Sequence, residues 1–135
     1  MIRKNLYYLV FLFLAVAFIT SCQSDASNKS VDEAFAHHVY FWLENPDDPD
    51  DRAEFEKGVR ELLEVPVIQS YHFGTPAATT DRDVVEGSYT YSYLVFFEDR
   101  ESHEVYQEHP IHQQFIKDYQ HLWKKVVVYD AVMEE

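Results

Sequence analysis

The chain has a single cysteine, few positive charges and no hydrophobic run of membrane-spanning length. With Cys22 as its only cysteine, it cannot form an internal disulfide. Its 11 lysines and arginines stand against 24 aspartates and glutamates, which gives a net charge of −13. Because so acidic a protein repels nucleic-acid phosphates, we expect no nucleic-acid partner. The longest apolar run, from Leu6 to Ile19, is too short to cross a bilayer comfortably.

The first residues instead have the pattern of an export signal. Two basic residues at positions 3 and 4 precede the apolar run, and Ile-Thr-Ser-Cys at positions 19–22 is similar to the lipobox of bacterial lipoproteins. We therefore predict a signal peptide over residues 1–21, with cleavage before Cys22 and acylation of Cys22 by palmitate-like chains. An uncleaved anchor with an incidental cysteine is the alternative.

Cleavage would leave a more acidic chain with a tether and one domain. It removes the two basic residues, which brings the net charge from −13 to −15. Residues 22–34 contain several serines and read as a flexible tether that follows the lipidated cysteine. Residues 35–135 suffice for one domain with a modest core. We expect a bacterial cell-envelope protein, lipid-anchored to a membrane and facing the periplasm or the cell exterior.

Hydrophobic periodicity in the domain predicts the order β-α-β-β-α-β, in which a proline interrupts the last helical region. This order fits an α+β fold of the ferredoxin-like type. The predicted elements are a strand Ala36–Glu44, a helix around Phe55–Leu63 closed by Pro66, strands Val67–Thr75 and Tyr89–Phe97, helices Ser102–Glu108 and Pro110–Leu122, and a strand Lys125–Val132.

Both faces of the predicted sheet are partly apolar. In the first strand, one face carries His38, Tyr40 and Trp42 and the other carries positions 39, 41 and 43, and neither is clearly a water face. Two helices can cover only one face, and a sheet with one solvated face normally alternates cleanly. We therefore expect a homodimer that packs sheet to sheet. Burial of the second face by the long loop and the tether, within a monomer, is the alternative.

The most informative segment is Tyr106-Gln107-Glu108-His109-Pro110-Ile111-His112. Pro110 disfavours helical backbone at His109 but suits the first position of a new helix, so one helix should end and another begin here. His112 would then lie in a first turn, where the helix dipole disfavours imidazolium. A neutral imidazole close to the Tyr106 hydroxyl is a candidate general base with a proton-donating partner. The alternative is that these residues only cap and pack the junction.

These residues carry a resemblance to a known family, the stress-responsive dimeric α/β-barrel proteins, or Dabb domains. It spans His38 to Asp130 and rests on four features: His38-Val39 in the first strand, Gly74 at the end of the second, Tyr-x-x-His-Pro-x-His at 106–112, and Trp123 before a valine-rich strand ending in Asp130. The resemblance implies a ferredoxin-like sandwich that forms a dimeric α/β barrel.

The resemblance also implies a site. One plant member of the family forms olivetolic acid by cofactor-free aldol cyclisation, and its catalytic tyrosine and histidine match Tyr106 and His112. Its pocket-lining phenylalanine and tryptophan match Phe55 and Trp123. We accordingly expect His112 as base and Tyr106 as oxyanion partner.

Four more pocket positions follow from the same comparison. His38 and His109 have counterparts in the plant protein, whereas Tyr91 and Tyr93 replace a histidine and a small valine. A tyrosine at position 93 would fill the cavity floor, so the resemblance implies a small apolar or phenolic ligand in place of an alkyl-tailed one.

Three functions remain open from the sequence. The first is a small-molecule-binding or stress-associated module, the second a cofactor-independent acid–base enzyme like the polyketide cyclase, and the third a monooxygenase-like dimeric barrel. No cofactor is expected.

We expect no side-chain metal site, because Pro110 breaks the register that would align His109 with His112. Some plant members hold a cation through backbone carbonyls, which match Leu62, Val65 and Ile68 here. The remaining histidines lack a motif and are expected to be ordinary strand or helix-surface residues; they are His37, His72, His103 and His121.

Overall fold

The computed structural model describes residues 35–134, in which the strands and helices follow one another in the predicted order. The predicted signal peptide, the lipidated Cys22 and the tether lie outside the described residues. The elements are β1 (Phe35–Leu43), α1 (Pro49–Leu62), β2 (Ser70–Gly74), β3 (Tyr91–Phe97), α2 (Arg100–Glu108), α3 (Pro110–Tyr119), a 3-10 turn (Gln120–Leu122) and β4 (Trp123–Val132).

The four strands form one antiparallel sheet in the order β2-β3-β1-β4. This order and the split β-α-β pattern are those of a ferredoxin-like α+β fold, as the sequence predicted. β1 lies inside the sheet, between β3 and β4, whereas β2 and β4 are its edges. The register between β1 and β4 places Phe41 opposite Val126, Val39 opposite Val128 and His37 opposite Asp130.

The strand period of two gives the sheet a covered face and an outer face. Along β1 the odd-numbered side chains are buried and the even-numbered ones are half-buried. The odd-numbered set joins Phe55 and Val59 of α1 in the core between sheet and helices. The outer face carries His38, Tyr40 and Trp42, together with their cross-strand neighbours.

The acidic segment before α1 caps that helix. The Asp48 carboxylate accepts hydrogen bonds from the backbone N–H groups of Asp50 and Asp51, and Pro49 occupies the first helical position. Negative charge is favourable at this end of a helix dipole. The acidic segment is therefore an exposed, capped helix start.

The predicted break in the second helical region is also confirmed. α2 ends at Glu108, and His109 has extended backbone (φ −65°, ψ 137°). α3 begins at Pro110, which needs no N–H partner in the first turn. The break lets the chain turn between two short helices and places His112 in the first turn of α3.

Two strands are shorter than predicted. β2 begins at Ser70, because the residues before it form a backbone turn in which the Ile68 N–H donates to the Val65 carbonyl (3.2 Å). β3 begins at Tyr91 and not at Tyr89. Within residues 35–134, no helix combines the length and the apolar character needed to cross a membrane.

Candidate functional site

A groove opens between the covered face of the sheet and helices α2 and α3. Its volume is about 180 Å³. Most of its walls are apolar, and its polar groups are two tyrosines, two histidines and a glutamine. The groove is lined by His37, Val39, Phe41, Leu62, Tyr93, Tyr106, Gln107, His112, Phe115, Ile116, Trp123, Val126 and Val128.

Two tyrosine hydroxyls meet at the floor of the groove. Tyr106 from α2 and Tyr93 from β3 are almost fully buried, and their hydroxyl oxygens are 3.2 Å apart. Burial raises the pKa of both phenols, because a phenolate would be poorly solvated there. Both hydroxyls therefore stay protonated at neutral pH, and each can donate a hydrogen bond.

The His112 imidazole lies beside Tyr106. The two ring centroids are 4.7 Å apart. Burial lowers the pKa of His112 from its ordinary value, and a hydrogen bond with the backbone of Gln107 acts in the opposite direction. The first-turn position adds the positive end of a helix dipole, which also disfavours imidazolium. At neutral pH the groove thus contains a neutral imidazole next to a protonated phenol.

His37 is another polar group of the groove, and the sequence analysis missed it. Its side chain is buried in β1, and its Nδ1 lies 2.6 Å from Oδ1 of Asp130 in β4. Its ring centroid lies 5.8 Å from that of Tyr106. Burial lowers the pKa of His37, whereas the Asp130 carboxylate opposes that shift. The expectation that His37 is an ordinary strand residue is therefore wrong.

The signal for His37 was present in the sequence as strand alternation. Position 37 shares a strand face with the apolar residues Val39 and Phe41, whose side chains are buried in the structure. A histidine on a buried strand face needs a hydrogen-bonding partner. The identity of that partner, Asp130, depends on the β1–β4 register, which one sequence does not reveal.

His103 on α2 also departs from its expected surface role. Its ring stacks on Phe35 at 4.5 Å and lies 4.9 Å from the ring of His37. Burial lowers the pKa of His103 as well. The hydrophobic pattern of α2 does not reveal the burial of His103, because most residues of this helix are exposed.

Of the six predicted pocket residues, Tyr93 and Trp123 line the groove together with Tyr106 and His112. Phe55 lies behind them: it is fully buried in the core, and its ring is 6.1 Å from that of Trp123.

Tyr91 lies farther along the core, beside α1. Its hydroxyl donates to the Glu56 carboxylate (2.6 Å), and the Arg52 guanidinium lies 4.8 Å from its ring centroid. Tyr91 and Phe55 therefore support the groove without lining it.

The structure places the other two predicted pocket residues elsewhere. His38 points to the outer face of the sheet, where its Nε2 is 2.8 Å from the Ser92 hydroxyl. The cause is strand alternation, which puts His37 and His38 on opposite faces. His109 caps α3, since its Nδ1 accepts a hydrogen bond from the Ile111 N–H (3.2 Å). Neither side chain reaches the groove.

The three backbone carbonyls named as cation candidates lie in the turn after α1. The Leu62 carbonyl accepts a hydrogen bond from the Val65 N–H (3.3 Å), and the Val65 carbonyl accepts one from the Ile68 N–H (3.2 Å). Two of the three oxygens are thus engaged in holding the turn.

The outer face of the sheet is aromatic. The Tyr40 ring contacts Tyr89 at 4.8 Å and Tyr129 at 6.1 Å, and Tyr129 is 63% exposed. The Lys125 ammonium lies 4.0 Å from the Trp42 ring centroid, within cation–π range. These aromatic side chains contact one another and form a continuous patch, and exposed apolar patches of this kind mark interaction sites.

Comparison with known proteins identifies the domain. The model of the family described as "Stress responsive A/B Barrel Domain" (Dabb) matches residues 35–133. No curated protein matches the chain significantly.

Solved structures share the fold at low sequence identity. A Dabb family protein with a ferredoxin-like fold from Mesorhizobium loti has a TM-score of 0.63 at 18% identity, over 76% of this chain and 99% of its own. A hydroxynitrile lyase from Passiflora edulis has a TM-score of 0.64 at 18% identity, over 77% of this chain and 96% of its own. A dimeric ferredoxin-like protein of unknown function from Thermobifida fusca has a TM-score of 0.60 at 18% identity, over 75% and 92% of the two chains.

Proposed function

This chain belongs to the stress-responsive A/B barrel domain family, and we propose that it binds a small, mostly apolar molecule that carries one phenolic or carbonyl oxygen. The observation behind this proposal is the groove itself, in which apolar walls meet polar groups at one end. Binding sites for small molecules combine these two features. The small volume, about 180 Å³, favours a compact ligand.

The polar groups of the groove suit an oxygen atom. The buried Tyr106 hydroxyl remains protonated and can donate to a carbonyl or phenolate oxygen. The neutral His112 imidazole can accept the proton of a phenol. Phe115 and Trp123 stack at 5.7 Å and form an apolar wall for the ligand's ring.

Titration with 4-methylphenol tests this proposal. We expect binding to the chain from Gln23 onward, detected as saturation-transfer signals on the ligand. His112→Ala should weaken binding by about tenfold, the effect of losing one hydrogen bond to a bound polar group. His121→Ala, at an exposed histidine, is the matched control. Equal affinity of wild type and His112→Ala would contradict the proposal.

A second candidate function is acid–base catalysis without a cofactor, which the contact between Tyr106 and His112 favours. His112 would remove a proton from the substrate, and Tyr106 would donate a hydrogen bond to the oxygen that becomes negative. Among the structural neighbours, one is described as a hydroxynitrile lyase. In such a reaction the base takes the hydroxyl proton, and the bond between carbon and cyanide breaks as the carbonyl forms. The protonated base then returns its proton to the cyanide, so that a carbonyl compound and hydrogen cyanide leave.

Mandelonitrile is a suitable probe for this candidate. Cleavage to benzaldehyde, followed by absorbance, should be lost in His112→Ala and retained in His121→Ala. An absence of turnover combined with intact 4-methylphenol binding would favour the binding module over the enzyme. No observation in the groove favours the monooxygenase-like alternative.

We also propose the assembly and address that the sequence indicates: a homodimer, lipid-anchored through Cys22 in a bacterial cell envelope and facing the periplasm or the exterior. The aromatic outer face, together with the dimeric description of the Thermobifida fusca neighbour, supports the dimer. The lipobox-like segment at positions 19–22 supports the anchor.

A further inference from the structure

Three side chains that are far apart in sequence converge at the end of the sheet next to α2. His37 comes from β1, His103 from α2 and Asp130 from β4, and one potential ligand atom from each lies within 4.8 Å of the other two. Among the described residues this is the group of histidines, cysteines and carboxylates that could hold a metal ion. Neither the candidate binding groups Tyr106 and His112 nor the Tyr-x-x-His-Pro-x-His motif contributes to it.

We propose that His37, His103 and Asp130 form a binding site for a divalent transition-metal ion such as Zn²⁺. Two imidazole nitrogens and one carboxylate oxygen are typical ligands of such ions. Ca²⁺ and Mg²⁺ prefer sites made entirely of oxygen, so this donor set disfavours them. Three protein ligands leave one coordination position for water or a bound molecule.

The site can close around an ion with small side-chain movements. Tetrahedral zinc with bonds of about 2.0–2.1 Å holds its ligand atoms about 3.3 Å apart. His37 and Asp130 are already closer than this, at 2.6 Å, so they would separate slightly. His103 is half-buried in α2 and the Asp130 side chain is 43% exposed, so both have more room to adjust than the buried His37.

An open cleft gives an ion access to the cluster. His103 and Asp130 line this cleft, whose walls also carry Arg100, Glu104 and Glu108. Arg100 is paired with Glu104 at 3.2 Å, which leaves the wall with a net negative charge. The strongly acidic chain adds a general attraction for cations.

The site goes beyond the proposed function, although it borders the groove. His37 lines the groove on one side, and its cluster partners line the cleft on the other. A bound ion would therefore lie in the wall between the two, and its binding does not require a ligand in the groove.

Titration with Zn²⁺ and Co²⁺ tests the site in the full chain, purified in detergent and carrying Cys22→Ser to remove the thiol. We expect one equivalent of Zn²⁺ by calorimetry and, with Co²⁺, the visible absorption of a four-coordinate ion. His103→Gln and Asp130→Asn should each weaken Zn²⁺ binding by about tenfold or more. The matched controls His121→Gln and Asp118→Asn should bind as wild type does. Thermal melts verify that each variant is folded.

Two results would overturn the site: no Zn²⁺ binding by the wild type, or equal losses of Zn²⁺ affinity in the cluster variants and their controls.

The groove is tested separately, by 4-methylphenol binding to the same proteins. His112→Ala should lose 4-methylphenol and keep Zn²⁺, whereas His103→Gln should lose Zn²⁺ and keep 4-methylphenol. If wild type binds only one of the two, Zn²⁺ or 4-methylphenol, then the proposal for the other site has failed.

Discussion

His37 and Asp130 occupy directly opposite positions on β1 and β4, and their side chains are joined by a 2.6 Å contact between Nδ1 and Oδ1. The pair links the inside of the sheet to its edge, next to Tyr106. Burial lowers the pKa of His37 below its ordinary value, whereas the Asp130 carboxylate acts in the opposite direction.

The contact between Tyr93 and Tyr106 should appear as a coupling in unfolding experiments. Tyr93→Phe or Tyr106→Phe leaves the other hydroxyl buried without its partner, so each should lower the free energy of unfolding by about 1–3 kcal/mol. The double variant should cost less than the sum of the two, because no unpaired hydroxyl remains. Urea unfolding measures the cycle, with Tyr71→Phe as the exposed control. Additive losses would show that the hydroxyls do not interact.

His112 should make the domain less stable in acid. Its pKa is below the ordinary 6.5 in the folded state, so the unfolded chain takes up the proton first as the pH falls. The stability that the neutral ring contributes is complete above pH 6.5 and is lost as the pH drops from 6.5 through the lowered folded-state value. Melting temperatures at about pH 7.5 and about pH 5, which lie roughly one unit or more on either side of 6.5, should differ less in His112→Gln than in wild type.

An NMR titration of the His112 ring measures its pKa in the folded state directly. Its midpoint should lie below 6.5. A midpoint above 6.5 for His112 would remove the argument for a neutral base.

The outer face should be the dimer interface. Leu94 lies near its centre, between His72 and His38 in the strand register, so Leu94→Asp would place a charge in the middle of the contact. We expect wild type to sediment with twice the chain mass in density-matched detergent and Leu94→Asp to sediment as a monomer. Val105→Asp makes the same change at an exposed position of α2 and should remain dimeric. A wild-type chain that is monomeric yet folded would exclude this interface.

Cys22 should carry the lipid. Labelled palmitate fed to bacteria that express the chain should enter wild type and fail to enter Cys22→Ser, because the thiol is the acceptor. The variant should also retain its signal peptide, which mass spectrometry of the N-terminus detects. Equal labelling of both proteins, or a mature chain that begins elsewhere, would contradict the lipoprotein proposal.

The parts of the fold that depend on local chemistry were predictable from one sequence. The break at Pro110 follows from the missing N–H and the fixed backbone angle of proline, and the start of α1 follows from Asp48 and Pro49. Proximity of Tyr106 and His112 follows from that break, because the two residues flank it closely.

The parts that depend on tertiary register were not predictable. Asp130 meets His37 because β4 pairs with β1 in one particular alignment, and His103 joins them because α2 packs at one particular rotation. The resemblance directed attention to His38, whose side chain lies on the other face of the sheet. Strand alternation would have corrected that choice once Val39 and Phe41 were assigned to the core.

The chain has two tryptophans, and they lie on opposite sides of the sheet. Trp123 lines the groove, whereas Trp42 lies on the outer face beneath the Lys125 ammonium. Intrinsic fluorescence therefore contains two separable reporters: Trp42→Phe leaves emission that responds to occupancy of the groove, and Trp123→Phe leaves emission that responds to association of two copies.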